Sequence, residues 1–112
     1  MVIRAILLVL LASAGACKGK VAGGSVDGAE IFGAACAGCH GGSGKPDGSM
    51  VARYGVKDLT DPALQARLSD AEIRRQVLEG SPNRKMPAFR GALTEAQLDA
   101  LIEHIRSLKN KR

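Results

Sequence analysis

Tryptophan is absent from the 112 residues, and Phe32, Phe89 and Tyr54 are the only aromatic side chains. A domain this small is marginal without a staple or an unusually large apolar body. The scarcity of aromatics agrees with a core completed by a cofactor. No apolar run reaches the roughly 20 residues that a spanning helix needs. No apolar stretch alternates with the period of a half-buried strand, and no internal repeat is present. The formal net charge is +5, and no aromatics interleave with the bases, which argues against nucleic acid as a partner. An acidic protein partner fits the mild basic balance better.

The strongest apolar stretch is at the start. Val2 to Ala16 carries Arg4 in front and Ala14-Gly15-Ala16 behind. A positive start, an apolar middle and a small-residue end read as a secretory signal over residues 1–16. Export places the chain where covalent cysteine chemistry is permitted. Cys17 follows directly and resembles the lipidated cysteine of a bacterial lipoprotein. Ordinary cleavage at Ala14 or Ala16, leaving a free thiol, is the alternative. A diacyl modification of Cys17 would anchor the protein on the periplasmic or cell-surface side of a bacterial membrane, because two chains hold where one is marginal. Lys18 to Val26 is Gly-rich and has no period, so residues 17–26 are expected to be a flexible tether. The folded domain is expected over 27–112.

Within that domain the pattern is helical. Asp27-Gly28-Ala29-Glu30 opens a first helix with Ile31, Phe32, Ala35 and Cys36 on one face, stopped by Gly41, Gly42 and Gly44. Gly41 to Leu59 is expected to be loop. Asp61-Pro62 starts a short second helix, and Ser69-Asp70-Ala71-Glu72 a third, ending at Gly80. A second loop runs from Ser81 to Gly91. Thr94-Glu95-Ala96-Gln97 begins the last helix, where Leu98, Leu101, Ile102, Ile105 and Leu108 recur at helical spacing.

Cys36-Ala37-Gly38-Cys39-His40 carries the chemistry. Two thiols one helical turn apart can reach the two vinyl groups along one porphyrin edge, and the next residue can set its imidazole under the iron. Covalent haem attachment is the leading reading. A zinc site would need a second ligand pair, and His104 is the only other histidine. A thioredoxin-like disulfide expects alternating strands and helices. The iron needs a second axial donor. Met86 is the candidate, because it lies in a loop far along the chain and Pro87 biases it towards an extended backbone. A core methionine is the plain alternative. Met50, ten residues from His40, is the rival. His104 flanks the apolar stripe of the last helix and is expected to pack there.

From Asp27 to Leu108 the chain resembles a small class I c-type cytochrome. The resemblance rests on Cys36-Ala37-Gly38-Cys39-His40-Gly41, Asp58 to Pro62, Ser69 to Glu72, Met86-Pro87-Ala88-Phe89 and Leu101 to Leu108. It implies an all-α fold of about four short helices with long loops around one covalent haem c. It implies ligation by His40 and Met86, crossed first and last helices, and single-electron transfer rather than enzymatic turnover. In the family the carbonyl that orients the axial histidine often belongs to a proline of the following loop, where this chain has Pro46. The haem edge is rimmed in such proteins by the region that here carries Lys45, Arg53, Arg84, Lys85 and Arg90, a candidate docking surface for acidic redox proteins. Two further readings remain open: a haem sensor or peroxidase-like enzyme whose Met86 detaches, and an electron-transfer subunit of a larger membrane complex.

Overall fold

The computed structural model describes residues 19–111; the signal segment and Cys17 lie outside the described residues. Six α-helices follow a short 3-10 turn at Val21–Gly24: α1 Gly28–Ala35, α2 Ala37–His40, α3 Gly48–Tyr54, α4 Pro62–Arg67, α5 Asp70–Glu79 and α6 Glu95–Ser107. The described residues contain no strand. The architecture is all-α, as expected, with more helices than the four anticipated.

Local chemistry sets most of the boundaries. The Asp27 carboxylate accepts from the Ala29 and Glu30 N–H groups, Asp61 from Ala63, and the Ser69 hydroxyl from Glu72. Thr94 and Gln97 form a reciprocal capping box at the start of α6. Each cap satisfies helix N–H groups that have no partner within the helix. The core is the inward face of α6 (Leu98, Leu101, Ile102, Ile105) with Leu93 and Leu108, packed on Ile31 and Phe32 of α1 and Ile73 and Val77 of α5. The α1–α6 pairing is the most extensive between elements. Its closeness depends on Gly28, where a Cβ would stand 2.2 Å from the Ala100 carbonyl oxygen and 2.8 Å from the His104 Cβ. His104 packs there as expected, its ring 5.2 Å from that of Phe32 and tilted by 52°.

Three features depart from expectation. Gly48–Tyr54 is a helix, not loop: Asp47 caps the Met50 N–H, and Gly55 closes the other end in the left-handed conformation. This helix buries no residue, so it has no apolar period to betray it. The first helix is interrupted at Cys36, so the haem motif occupies a separate single turn, α2. The Gly-rich segment is docked from Gly19 onward, with the Gly19 N–H donating to the Ala92 carbonyl at 2.9 Å.

The fold also buries two glutamines that join elements distant in sequence. Gln65 donates to the carbonyls of Leu59 and Ile105 at 2.8 and 2.9 Å. Its own side-chain oxygen accepts from Arg106 Nη1 at 2.9 Å, and Arg106 Nε donates to Asp70 at 2.7 Å. Arg106 also donates to the Leu68 carbonyl. This network ties α4 and α5 to the last turn of α6.

The two glycines of α1 make opposite predictions. Gly28→Ala should destabilise by about 1–3 kcal/mol, as overpacking does. Gly33 has nothing within 4 Å of an added Cβ, so Gly33→Ala should stabilise by about 0.5–1 kcal/mol through its better helix propensity. Guanidinium midpoints of the two variants should move in opposite directions; equal shifts would show that the crossing is not tightly filled at Gly28.

Candidate functional site

Cys36, Cys39 and His40 lie on or beside one turn. The Cys36 carbonyl accepts from the N–H groups of Cys39 and His40 at 3.2 and 2.9 Å. Both thiols are free, Cys36 half-buried and Cys39 exposed. Burial, and then the neighbouring Cys39, push the Cys36 thiol up to about 11. Its surroundings therefore suit a neutral sulfur, whether thiol or thioether, and disfavour a thiolate. The chain leaves this turn at Gly41, with a φ of +79° and the Lys45 carbonyl oxygen 2.2 Å from where a Cβ would be. Only glycine permits both.

His40 is oriented by a backbone group. Its Nδ1 lies 3.0 Å from the Lys57 carbonyl oxygen. A carbonyl only accepts, so Nδ1 carries the proton and Nε2 keeps its lone pair. Burial lowers the His40 pKa, and the Lys57 bond opposes that shift. The neutral form favoured by burial is the one that ligates a metal, and an outer-shell acceptor on the other nitrogen is what a ligating histidine usually has. The acceptor is Lys57 and not Pro46. Lys57 is held in turn by its neighbours: the Leu59 N–H donates to Gly44 at 2.8 Å, and the Asn110 N–H to the Thr60 carbonyl at 2.9 Å. Thr60 is fully buried, and both its N–H and its hydroxyl bond to Asp58, at 2.9 and 2.6 Å. A backbone acceptor leaves no mark in the residue letters, so sequence reading could not single out Lys57.

Met86 comes from the α5–α6 connection. It is half-buried and packs on the same hydrophobic core as Cys36, Ala37, Leu59 and Phe89. Its loop is closed by its own bonds. The Ser81 N–H donates to the Met86 carbonyl at 3.1 Å, and the Met86 N–H to the Ser81 hydroxyl at 2.9 Å. Beyond it, the N–H groups of Phe89 and Arg90 donate to the Val77 and Leu78 carbonyls at 3.0 and 3.1 Å. The Gln76 amide nitrogen approaches the Met86 sulfur at 3.8 Å, a contact with no signal in the sequence. Met50 is on α3 and is not among the side chains packed on the core. Cys17 lies outside the described residues.

This donor set fits a covalent haem c. Two thiols stand at one turn beside a neutral imidazole whose outer nitrogen is already bonded. A zinc site is less well served, because no group of three or more His, Cys, Asp or Glu side chains is placed to hold a metal among the described residues.

Comparison with known proteins agrees with the geometry. Residues 26–105 match the family described as cytochrome c oxidase, cbb3-type, subunit III. Cytochrome c6 from a Synechococcus species is 34% identical over 85 residues, a stretch covering 76% of this chain and 70% of that protein. The solved KustC0563 c-type cytochrome superposes with a TM-score of 0.67 at 32% identity, covering 74% of this chain and 98% of its own. The match runs through α1 and α2 to the body of α6, so it includes the Cys36–His40 turn, Met86 and the α1–α6 crossing. The chain belongs to the small mono-haem class I c-type cytochromes.

Proposed function

We propose that this protein is an electron carrier in which Cys36 and Cys39 hold one haem c by thioether bonds, with His40 Nε2 and Met86 Sδ as axial ligands. The observation that carries the reading is the His40–Lys57 bond, which leaves Nε2 free on the same turn as both cysteines. When bound, such a haem supplies reversible one-electron chemistry with both axial positions filled, which favours transfer over catalysis at iron. The chain's own part is to hold the two donors still. His40 is fixed by a one-turn helix and a carbonyl, and Met86 by the Ser81 loop.

Redox proteins with acidic surfaces are the proposed partners. Lys85 Nζ donates to the Arg53 carbonyl at 3.2 Å and lies 6.0 Å from the Tyr54 ring centre. The Arg53 guanidinium lies 5.9 Å from the same ring. The Met86 loop and the end of α3 thus present one basic cluster, and Arg84 beside it is exposed. Arg90 is paired with Glu79 at 3.4 Å and contributes less net charge. We place the protein on the periplasmic or cell-surface side of a bacterial membrane, anchored through a lipidated Cys17. No described helix is long and apolar enough to cross a membrane. A second reading, an electron-transfer subunit of a larger membrane complex, is favoured by the oxidase subunit named in the matched family's description.

A pyridine haemochrome spectrum with an intact-protein mass tests the cofactor and its covalent attachment. Met86→Ala should keep the haem, lose the near-infrared sulfur-to-iron band and lower the potential; an unchanged band and potential would move the sixth ligand elsewhere. High-spin ferric iron in the wild type would instead support a detachable Met86.

Gly80 gives an indirect check on Met86. Gly80 and Gly91 both have left-handed φ, +74° and +82°, so alanine strains both. Only at Gly80 does an added Cβ strike the site, 2.4 Å from the Met86 carbonyl oxygen. Gly80→Ala should weaken the sulfur-to-iron band, whereas Gly91→Ala should only lower stability, by about 1–2 kcal/mol for the strained backbone.

Docking is tested by charge reversal. Reduction of an acidic redox partner in stopped flow should slow with salt, since exposed charges are screened beyond about 8 Å at physiological ionic strength. An Arg84→Glu/Lys85→Glu variant should lose about tenfold or more of the low-salt rate, the lower end of the gain expected from steering. A rate indifferent to both salt and charge would remove the basic cluster from docking.

A further inference from the structure

Gln97 is 1% exposed, and its amide is spent on the N-terminal segment rather than on the core. Its nitrogen donates to the carbonyls of Ser25 at 2.9 Å and Val21 at 3.1 Å, with the Gly19 carbonyl 3.5 Å away. Its oxygen accepts from the Thr94 N–H at 3.2 Å, which orients the amide towards those carbonyls. The Gly19 N–H closes the ring on the Ala92 carbonyl. Gly19 itself admits no side chain: its φ is +81°, and a Cβ would stand 2.9 Å from the Thr94 methyl carbon. Residues 19–25 are thus wrapped around one buried side chain.

This changes the reach of the anchor. Between Cys17 and Gly19 stands only Lys18, and two residues span at most about 7 Å. A lipid on Cys17 would therefore bring Gly19 into the headgroup region. The wrapped segment and its exit expose Lys20 and Val26. Val26 is 63% exposed, ahead of Val51 at 47% and Tyr54 at 39%. A lone exposed valine is ordinary; one on a fixed segment within reach of an acyl anchor matches a bilayer interface, and with Lys20 offset by the exposed Asp27, Glu30 and Glu95 the contact calls for no anionic lipid. We propose that residues 19–26 and the start of α6 form a surface that lies on the lipid, with Gln97 as the latch that keeps the domain there. The proposal rests on acylation of Cys17, and its test separates the two.

The full-length holoprotein is extracted from membranes, its intact mass is measured, and it is reconstituted in vesicles of zwitterionic and anionic phospholipid. Amine labelling read by mass spectrometry then compares Lys20 with Lys57, against a soluble Cys17→Ser form. Lys20 should label at least fivefold more slowly on vesicles, and Lys57 should change little. A Gly-Ser spacer of about ten residues between Lys18 and Gly19 adds about 18 Å of root-mean-square reach and should restore Lys20 labelling. Gln97→Leu should leave Lys20 protected, since Lys20 stays three residues from Cys17, but should speed hydrogen exchange of residues 19–25 and remove the vesicle protection of the first turn of α6; if that variant fails to fold, the spacer alone decides. An acylated protein whose Lys20 labels as in the soluble form overturns the lipid-facing surface and leaves the anchor standing. Protection that survives the spacer overturns the short anchor as its cause and points to another occupant, a second copy of this chain, on Val26. A mass without acyl chains overturns the anchor and the surface together.

Discussion

The approach of α1 to α6 at Gly28 is the constraint on which the rest of the molecule hangs. With no Cβ in the way, the first turn of α1 lies against the Ala100 carbonyl, and Ile31 and Phe32 are driven into the face formed by Leu98, Leu101 and Ile102. That contact sets α1 against α6, and the Cys36–His40 turn follows directly on α1. It also fixes the two ends of α6, which serve different tasks. The start holds the N-terminal segment through Gln97, and the last turns hold α4 and α5 through Arg106 and Gln65.

A core with so few aromatics compensates with buried amides. Apolar packing alone is non-directional, and short helices joined by loops leave many carbonyls without partners. Gln65 and Gln97 each collect carbonyls from segments far apart in sequence, and no buried side-chain polar atom among the described residues lacks a partner. Satisfied buried amides impose a register that a greasy contact would not, because leaving one unpaired costs about 1–3 kcal/mol. The exposed pairs Arg74–Glu95 and Arg90–Glu79 matter less, since such contacts are worth roughly 0–1 kcal/mol. Arg106 differs less in exposure, 30% against 35% for Arg74, than in its guanidinium also binding backbone carbonyls.

What could be read from the sequence was what is local. The caps at Asp27, Asp61, Ser69 and Thr94 act within three residues of themselves, and the stripe of α6 repeats over its whole length. The Cys36/Cys39/His40 spacing likewise implies a single turn, and a single turn is what forms. Asp47 is as good a cap as the others, but Gly48 and Ser49 follow it and nothing in α3 is buried, so the helix had no second signal. The segment Gly19–Ser25 carries the letters of a tether because its partner is 72 or more residues away. The sequence marks Gln97 only as a capping residue. Lys57 was invisible for a different reason: the atom that orients His40 is one that every residue possesses.

The two proposed axial donors are held by different kinds of structure, and this bears on how the site would behave. His40 sits in a helical turn, and its acceptor is braced by Thr60, Asp58 and the C-terminal segment. Displacing it would require several elements to move together. Met86 is held by a six-residue ring closed on Ser81, in which Asn83 accepts from the Ser81 hydroxyl at 2.6 Å and from the Lys85 N–H at 3.0 Å, and Arg84 takes a φ of +61°. Loops with exposed hydrogen bonds open at lower cost than core helices do. Lys85 belongs to that ring and also reaches Arg53 and Tyr54 across the gap to α3. A partner that drew Lys85 away would therefore pull on the Met86 side of the site and leave the His40 side untouched.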